Sequence, residues 1–113
     1  ILKKRLAAFH MLDTLLLNLS ITVRNEEDGE YHQTLANQNF IDFLKDAIEL
    51  KYHSKYLSAL SLELMQKLTH MLEDVREEYK YADHNHIKSY CAKKFNHFES
   101  VRKQLENEQG RLL

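Results

Sequence analysis

Apolar residues recur every seven positions along the first part of the chain. This series consists of Leu2, Phe9, Leu16 and Val23. Spacing of this kind is typical of a helix that packs along one side, and Leu12 widens the apolar stripe. We therefore predict a helix over about residues 2–24. The following segment, residues 24–34, is acidic and polar and contains Gly29, so it is predicted to be a loop.

The same spacing continues through the middle of the chain. Its members there are Phe43, Leu50, Leu57, Leu64 and Met71. We predict one helix over about residues 35–81, which would be about 70 Å long at 1.5 Å per residue. The alternative is a break within residues 51–58, where Ser54 would cap a second helix. The continuous helix is favoured because the apolar register is kept across that segment.

A third helix is predicted over about residues 86–109. Its apolar face consists of Ile87, Cys91, Phe95, Phe98, Val101 and Leu105. Asp83 or Asn85 is a suitable N-cap, and Gly110 is placed to end the helix. Three helices with two connections predict an all-α fold, an elongated antiparallel three-helix bundle or coiled coil with one long central helix. Residues 1–113 would be a single helical domain or a fragment of a larger one.

The composition supports helices and excludes several other classes of protein. There is no proline and there are two glycines, whereas all-β domains need frequent turn residues. The net charge of −1 is not that of a general nucleic-acid binder. A single cysteine, Cys91, cannot form an intrachain disulfide, and no stretch has the length of a membrane span. We expect an intracellular, cytoplasmic protein, with peripheral membrane association as the alternative.

No residue pattern in the chain predicts catalysis or metal binding. His70 and Asp74, like Glu49 and His53, have the i, i+4 spacing of two ligands on one helix face. A helical di-iron site would need Glu-x-x-His motifs, and none occurs. Cys91 lies on the apolar stripe, where a cysteine behaves as a small core residue. We predict a protein without enzymatic activity, cofactor, metal or small-molecule substrate.

Charge is unevenly distributed although the net charge is small. Basic residues cluster at Lys3, Lys4 and Arg5 near the start, and acidic residues cluster within residues 73–78. A second basic set falls on the predicted third helix: Lys88, Lys93, Lys94, Arg102 and Lys103. We expect the basic and acidic blocks to face each other or to be solvated. Contact of the second basic set with lipid headgroups or another acidic surface is the alternative.

The middle of the chain resembles the second helix of BAR domains of the sorting-nexin type. The resemblance lies in residues 50–56 (LKYHSKY) and 64–73 (LMQKLTHMLE), and Tyr90 to Leu105 resembles the start of the third helix of that family. BAR domains are antiparallel three-helix coiled coils that dimerise. The resemblance therefore implies a dimeric module that binds curved membranes and acts in membrane trafficking.

The apolar series predicts a function in protein–protein interaction. We expect a non-enzymatic helical assembly module, or scaffold, that self-associates as a homo-oligomer, with the BAR-like membrane module as the alternative. The residues expected to form the core seam and to bind the partner are Leu2, Phe9, Leu16, Leu50, Leu57, Leu64, Met71 and Phe95. A long helix flanked by shorter ones would leave part of this stripe in water, which favours a binding partner.

Overall fold

Five α-helices and one β-hairpin form the part of the chain that the computed structural model describes, residues 2–113. In chain order the elements are α1 (Leu2–Leu19), β1 (Thr22–Asn25), β2 (Gly29–His32), α2 (Phe40–His53), α3 (Ala59–Tyr81), α4 (His84–Lys93) and α5 (Phe95–Leu112). Short 3-10 turns occupy Gln33–Ala36 and Ser54–Tyr56. The prediction of a mainly helical fold is confirmed, but five helices replace the three predicted.

The helices α1, α2, α3 and α5 form an antiparallel four-helix bundle. Each of α1 and α3 packs against both α2 and α5, so the four helices surround one core. The hairpin and α4 close one end of the bundle, where Ser89 Oγ donates a hydrogen bond to Asp28 Oδ1 at 2.6 Å. The molecule measures 45 × 24 × 19 Å. It is therefore shorter than the central helix of about 70 Å predicted from the sequence.

The first helix ends five residues earlier than predicted, and the predicted loop is a β-hairpin. Ser20 Oγ donates to the carbonyl of Leu17 at 2.7 Å, and the next residues, Ile21 to Val23, are β-branched. Such residues favour a strand over a helix. At the turn, Asn25 Oδ1 accepts hydrogen bonds from the backbone of residues 27 and 28, and Gly29 has a φ of 95°. A glycine adopts this conformation without strain.

The predicted central helix is two helices, and the prediction of a continuous helix is wrong. Ser58 has extended backbone angles (φ −166°, ψ 163°), and its side chain accepts a hydrogen bond from the Ser61 amide at 2.9 Å. An N-cap of this kind begins a new helix. The break falls in the segment where the sequence allows one, but the cap is Ser58 rather than Ser54. Ser54 instead donates to the carbonyl of Lys51 and begins the 3-10 turn.

The predicted third helix is also divided, into α4 and α5. Asp83 is the N-cap of α4, and its carboxylate accepts a hydrogen bond from the His86 amide at 2.9 Å. This residue is one of the two caps predicted. Lys94 separates the two helices with φ −95° and ψ 3°. Gly110 does not end α5, which continues to Leu112, because Gly110 lacks the positive φ of a glycine that terminates a helix.

Candidate functional site

The helix α1 carries apolar residues on two sides. One side faces the core with the residues Ala8, Leu12, Leu15, Leu16 and Leu19. The other side, which we name the outer face, consists of Leu2, Leu6, Phe9 and Leu17. Leu2, Leu6 and Leu17 are 71%, 62% and 64% exposed, and Phe9 is half-buried. Their spacing of three, four and eight residues places them in one row along the helix.

The end of α5 borders the outer face. Leu6, Phe9, Gln109 and Leu113 line a shallow groove between the two helices, with a volume of about 340 Å³. Gln109 Nε2 donates a hydrogen bond to Asp13 Oδ1 at 3.1 Å. This bond draws the one carboxylate in the row towards α5. His10 and Asp13 also line this groove and lie between Leu6 and Leu17, so the outer face is apolar at both ends of α1 with a polar stretch between them.

The seam residues predicted from the sequence divide between core and surface. Leu16, Leu50, Leu57 and Leu64 are buried in the bundle. Phe9, Met71 and Phe95 are half-buried, while Leu2 is exposed and does not join the core. A partner can therefore reach only the solvent-facing part of the predicted set. The predicted partner-binding set did not include Leu6, Leu17 or Leu113. The low amphipathicity of the leucine-rich α1 is a signal that could have identified Leu6 and Leu17, because it places leucines on more than one side of the helix.

The predicted basic set is not a uniform cationic strip. Arg102 forms ion pairs with Glu99 at 2.7 Å and with Glu106, and its side chain is largely buried between them. It is therefore not free to contact a lipid or another acidic surface. Lys93, Lys94 and Lys103 are exposed, and Lys88 is half-buried. The ammonium group of Lys94 lies 5.9 Å from the centre of the Tyr90 ring.

His70 and Asp74 lie together in a groove between α3 and the helices α4 and α5. Met71 and Phe98 contribute its apolar lining, and Lys94 and His97 its opposite side, in a volume of about 280 Å³. Within residues 2–113, no group of three or more His, Cys, Asp or Glu side chains is placed to bind a metal ion. His53 is not part of this groove. Its Nδ1 atom lies 2.9 Å from the carbonyl oxygen of Glu49 in its own helix.

A buried histidine that the sequence did not single out lies where β2 meets α5. His32 is 1% exposed, and its ring stacks on Phe95 with centroids 5.0 Å apart. Its Nε2 atom lies 3.3 Å from Glu99 Oε1 without a well-directed hydrogen bond. Burial lowers the pKa of His32 from 6.5, and the Glu99 carboxylate opposes this effect. Burial therefore favours the neutral imidazole, and Glu99 is the acidic group that opposes this most.

Cys91 is buried in the core, in the position that the sequence predicts. Burial raises the pKa of its thiol to about 12, which disfavours the reactive thiolate. The side chain therefore lacks the environment of a nucleophilic cysteine.

No helix within the described residues combines the length and apolar character needed to cross a bilayer. The comparisons with known proteins found no matching family model, curated protein or solved structure.

Proposed function

We propose that this protein is a non-enzymatic assembly module that self-associates through the outer face of α1. The observation that carries the proposal is the row of exposed leucines, Leu2, Leu6 and Leu17, on a helix whose other side is already committed to the core. Exposed apolar side chains that cluster on a protein surface mark interaction sites. Leu2 and Leu6 are one turn apart, and Leu17 lies about 16 Å further along the helix. Burying them removes apolar area from water, which is the main favourable term in association.

The partner proposed is a second copy of the chain, in an antiparallel arrangement. A two-fold axis near the middle of α1 would bring Leu2 and Leu6 of each copy towards Leu17 of the other, so that the same surface serves both partners. The helix is about 27 Å long, enough for both contacts to form at once. The Asp13 carboxylate lies within this contact, where the hydrogen bond from Gln109 would keep it partnered.

The size of the surface sets the expected strength of the dimer. A helix of this length and about 11 Å in width presents a small contact, well below the 800 Å² or so per partner of a standard interface. We therefore expect a weak dimer with a dissociation constant in the micromolar range. Because the contact is apolar, it should change little with salt concentration.

Sedimentation equilibrium over about 5 to 200 µM tests self-association. The wild type should shift from monomer to dimer across this range, and Leu6→Glu or Leu17→Glu should remain monomeric because each buries a charge in the interface. Both residues are exposed, so neither substitution should disturb the fold. Leu57→Glu is unsuitable as a test because Leu57 is buried and the variant would unfold.

The matched control is Leu60→Glu, the same substitution at an exposed leucine of α3, the helix diagonally opposite α1 in the bundle. This variant should dimerise like the wild type. A wild type that stays monomeric at 200 µM would contradict the proposal, as would equal dimerisation of the Leu6→Glu and Leu60→Glu variants.

A further inference from the structure

Lysines and tyrosines gather where the start of α1 meets the connection between α2 and α3. We name this region the basic corner. It consists of Lys3, Lys4, Lys55 and Tyr56, together with Lys51 and Tyr52 at the end of α2, which line the neighbouring groove against α3. Arg5 joins α1 to the connection between α2 and α3, because its Nη1 donates hydrogen bonds to the carbonyls of Tyr56 at 3.1 Å and Leu57 at 3.0 Å. The charges thus come from two separate parts of the sequence that the fold holds side by side.

The lysines of the corner interact with the tyrosine rings. The ammonium groups of Lys4 and Lys55 each lie 5.3 Å from the centre of the Tyr56 ring, and that of Lys51 lies 4.9 Å from the Tyr52 ring. Lys4 Nζ is also 3.4 Å from the Tyr56 hydroxyl. Cation–π contacts of this kind leave the full positive charge in place. The corner therefore combines charge with amphipathic aromatic side chains.

The lysines of the corner form no direct ion pairs within 4.0 Å among residues 2–113, although Lys51 lines a groove that Glu73 also lines. The opposite end of α1, about 27 Å away, leads into the hairpin with its acidic residues 26–28. The molecule therefore has a positive end and a negative end despite its small net charge.

We propose that the basic corner binds the surface of an anionic lipid bilayer. Lysines next to such a surface gain affinity from its negative potential. Tyr52 is 65% exposed, so an amphipathic aromatic side chain accompanies the charges. Tyrosine is favoured at the level of the headgroups. The acidic hairpin would be repelled, which orients the bundle with the corner towards the bilayer.

A lipid surface fits the corner better than a nucleic acid does. Single-stranded nucleic acids bind where bases stack on open aromatic faces. Here ammonium groups already lie over the rings of Tyr52 and Tyr56.

Co-sedimentation with vesicles tests the proposal. The full chain at about 1 µM should bind vesicles of phosphatidylcholine with 30% phosphatidylserine, should bind pure phosphatidylcholine far less, and should lose binding as salt screens the charges. Lys51→Gln/Lys55→Gln should lower the partition coefficient for vesicles about 25-fold, because each lysine lost should lower it about fivefold. The matched control, Lys93→Gln/Lys103→Gln, removes the same charge from exposed lysines outside the corner and should stay within about twofold of the wild type.

A fluorescent reporter distinguishes contact at the corner from adsorption elsewhere. The chain contains no tryptophan, so Tyr52→Trp introduces a single one at an exposed position. Its emission should shift to the blue with anionic vesicles and stay unchanged with neutral ones. Equal loss of binding in the two lysine variants, or an unshifted tryptophan, would overturn the proposal. So would tighter binding of a single-stranded oligonucleotide through the same lysines.

Discussion

At the scale of single residues, the feature with the clearest consequence is His32. It is packed between Phe95 and Phe98 at the contact of the hairpin with α5. The charged groups that act on it are Glu99 and Glu30, which favour its protonated form, and Arg102, which disfavours it. Desolvation by burial outweighs these charges and lowers the pKa of His32, which favours the neutral imidazole.

The lowered pKa of His32 makes stability depend on pH. Below 6.5 the unfolded chain binds a proton that the folded chain resists, so the free energy of unfolding should fall as the pH drops from 7.5 to 5.5. The full loss is reached below both the folded-state and the unfolded-state pKa of His32. It amounts to about 1.4 kcal/mol for each unit by which the folded-state pKa is the lower of the two. His32→Phe keeps an aromatic ring in place and should flatten this dependence, as measured by urea unfolding at several pH values.

His84 provides the control because it is an exposed histidine at the start of α4. His84→Gln should keep the pH dependence of the wild type. If His32→Phe and the wild type lose stability equally over this range, the burial of His32 is not the cause.

At the scale of elements, the start of α3 is held by residues far apart in the sequence. Ser58 Oγ donates to Glu108 Oε1 at 2.9 Å and also caps the Ser61 amide. Glu108 is buried on α5 and pairs with Arg111, whose hydrogen bond is the main cause of the lowered pKa of Glu108. A carboxylate next to the first turn of a helix is also favoured by the helix dipole. This contact couples the break before α3 to the last turns of α5.

Removing the cap should therefore destabilise the protein. Ser58→Ala should lower the free energy of unfolding by about 1 to 2 kcal/mol, from the lost cap and the lost donor to a buried carboxylate. Ser20→Ala is the control, because Ser20 is exposed and bonds only within the last turn of α1, so its effect should stay below about 0.5 kcal/mol. Equal effects in urea unfolding would show that the cap does not set the break.

At the scale of the whole molecule, the core is closed by four helices that depend on one another. The largest fully buried side chains come from every one of them, including Leu12, Leu50, Leu68 and Leu105. Close-packed protein interiors relax little when atoms are removed. The cost of a cavity should therefore be high anywhere along the bundle.

Leu64→Ala tests the packing of the core. Leu64 is 4% exposed in α3, and its truncation should cost about 2 to 4 kcal/mol in chemical denaturation. Leu60→Ala, one turn earlier on the same helix at an exposed position, should cost less than about 1 kcal/mol. A Leu64 effect no larger than that of Leu60 would show that Leu64 does not belong to the core.

The helical class and much of the core follow from local features of the sequence. Scarce turn residues and the seven-residue spacing are local properties, and they apply to any packing of the helices. Leu50, Leu57 and Leu64 are buried on both sides of the break at Ser58 because α2 and α3 pack against the same core. The apolar register therefore did not reveal whether the helix was continuous.

Long-range contacts set the positions at which the helices break, and they stabilise a hairpin in place of the predicted loop. They also set which apolar and charged residues meet. The contacts responsible join distant positions, such as Ser58 with Glu108, Asp28 with Ser89 and Arg5 with Leu57. Local periodicity carries no information about such pairs. The outer face of α1 and the basic corner exist as surfaces only because the bundle buries the other sides of the same helices.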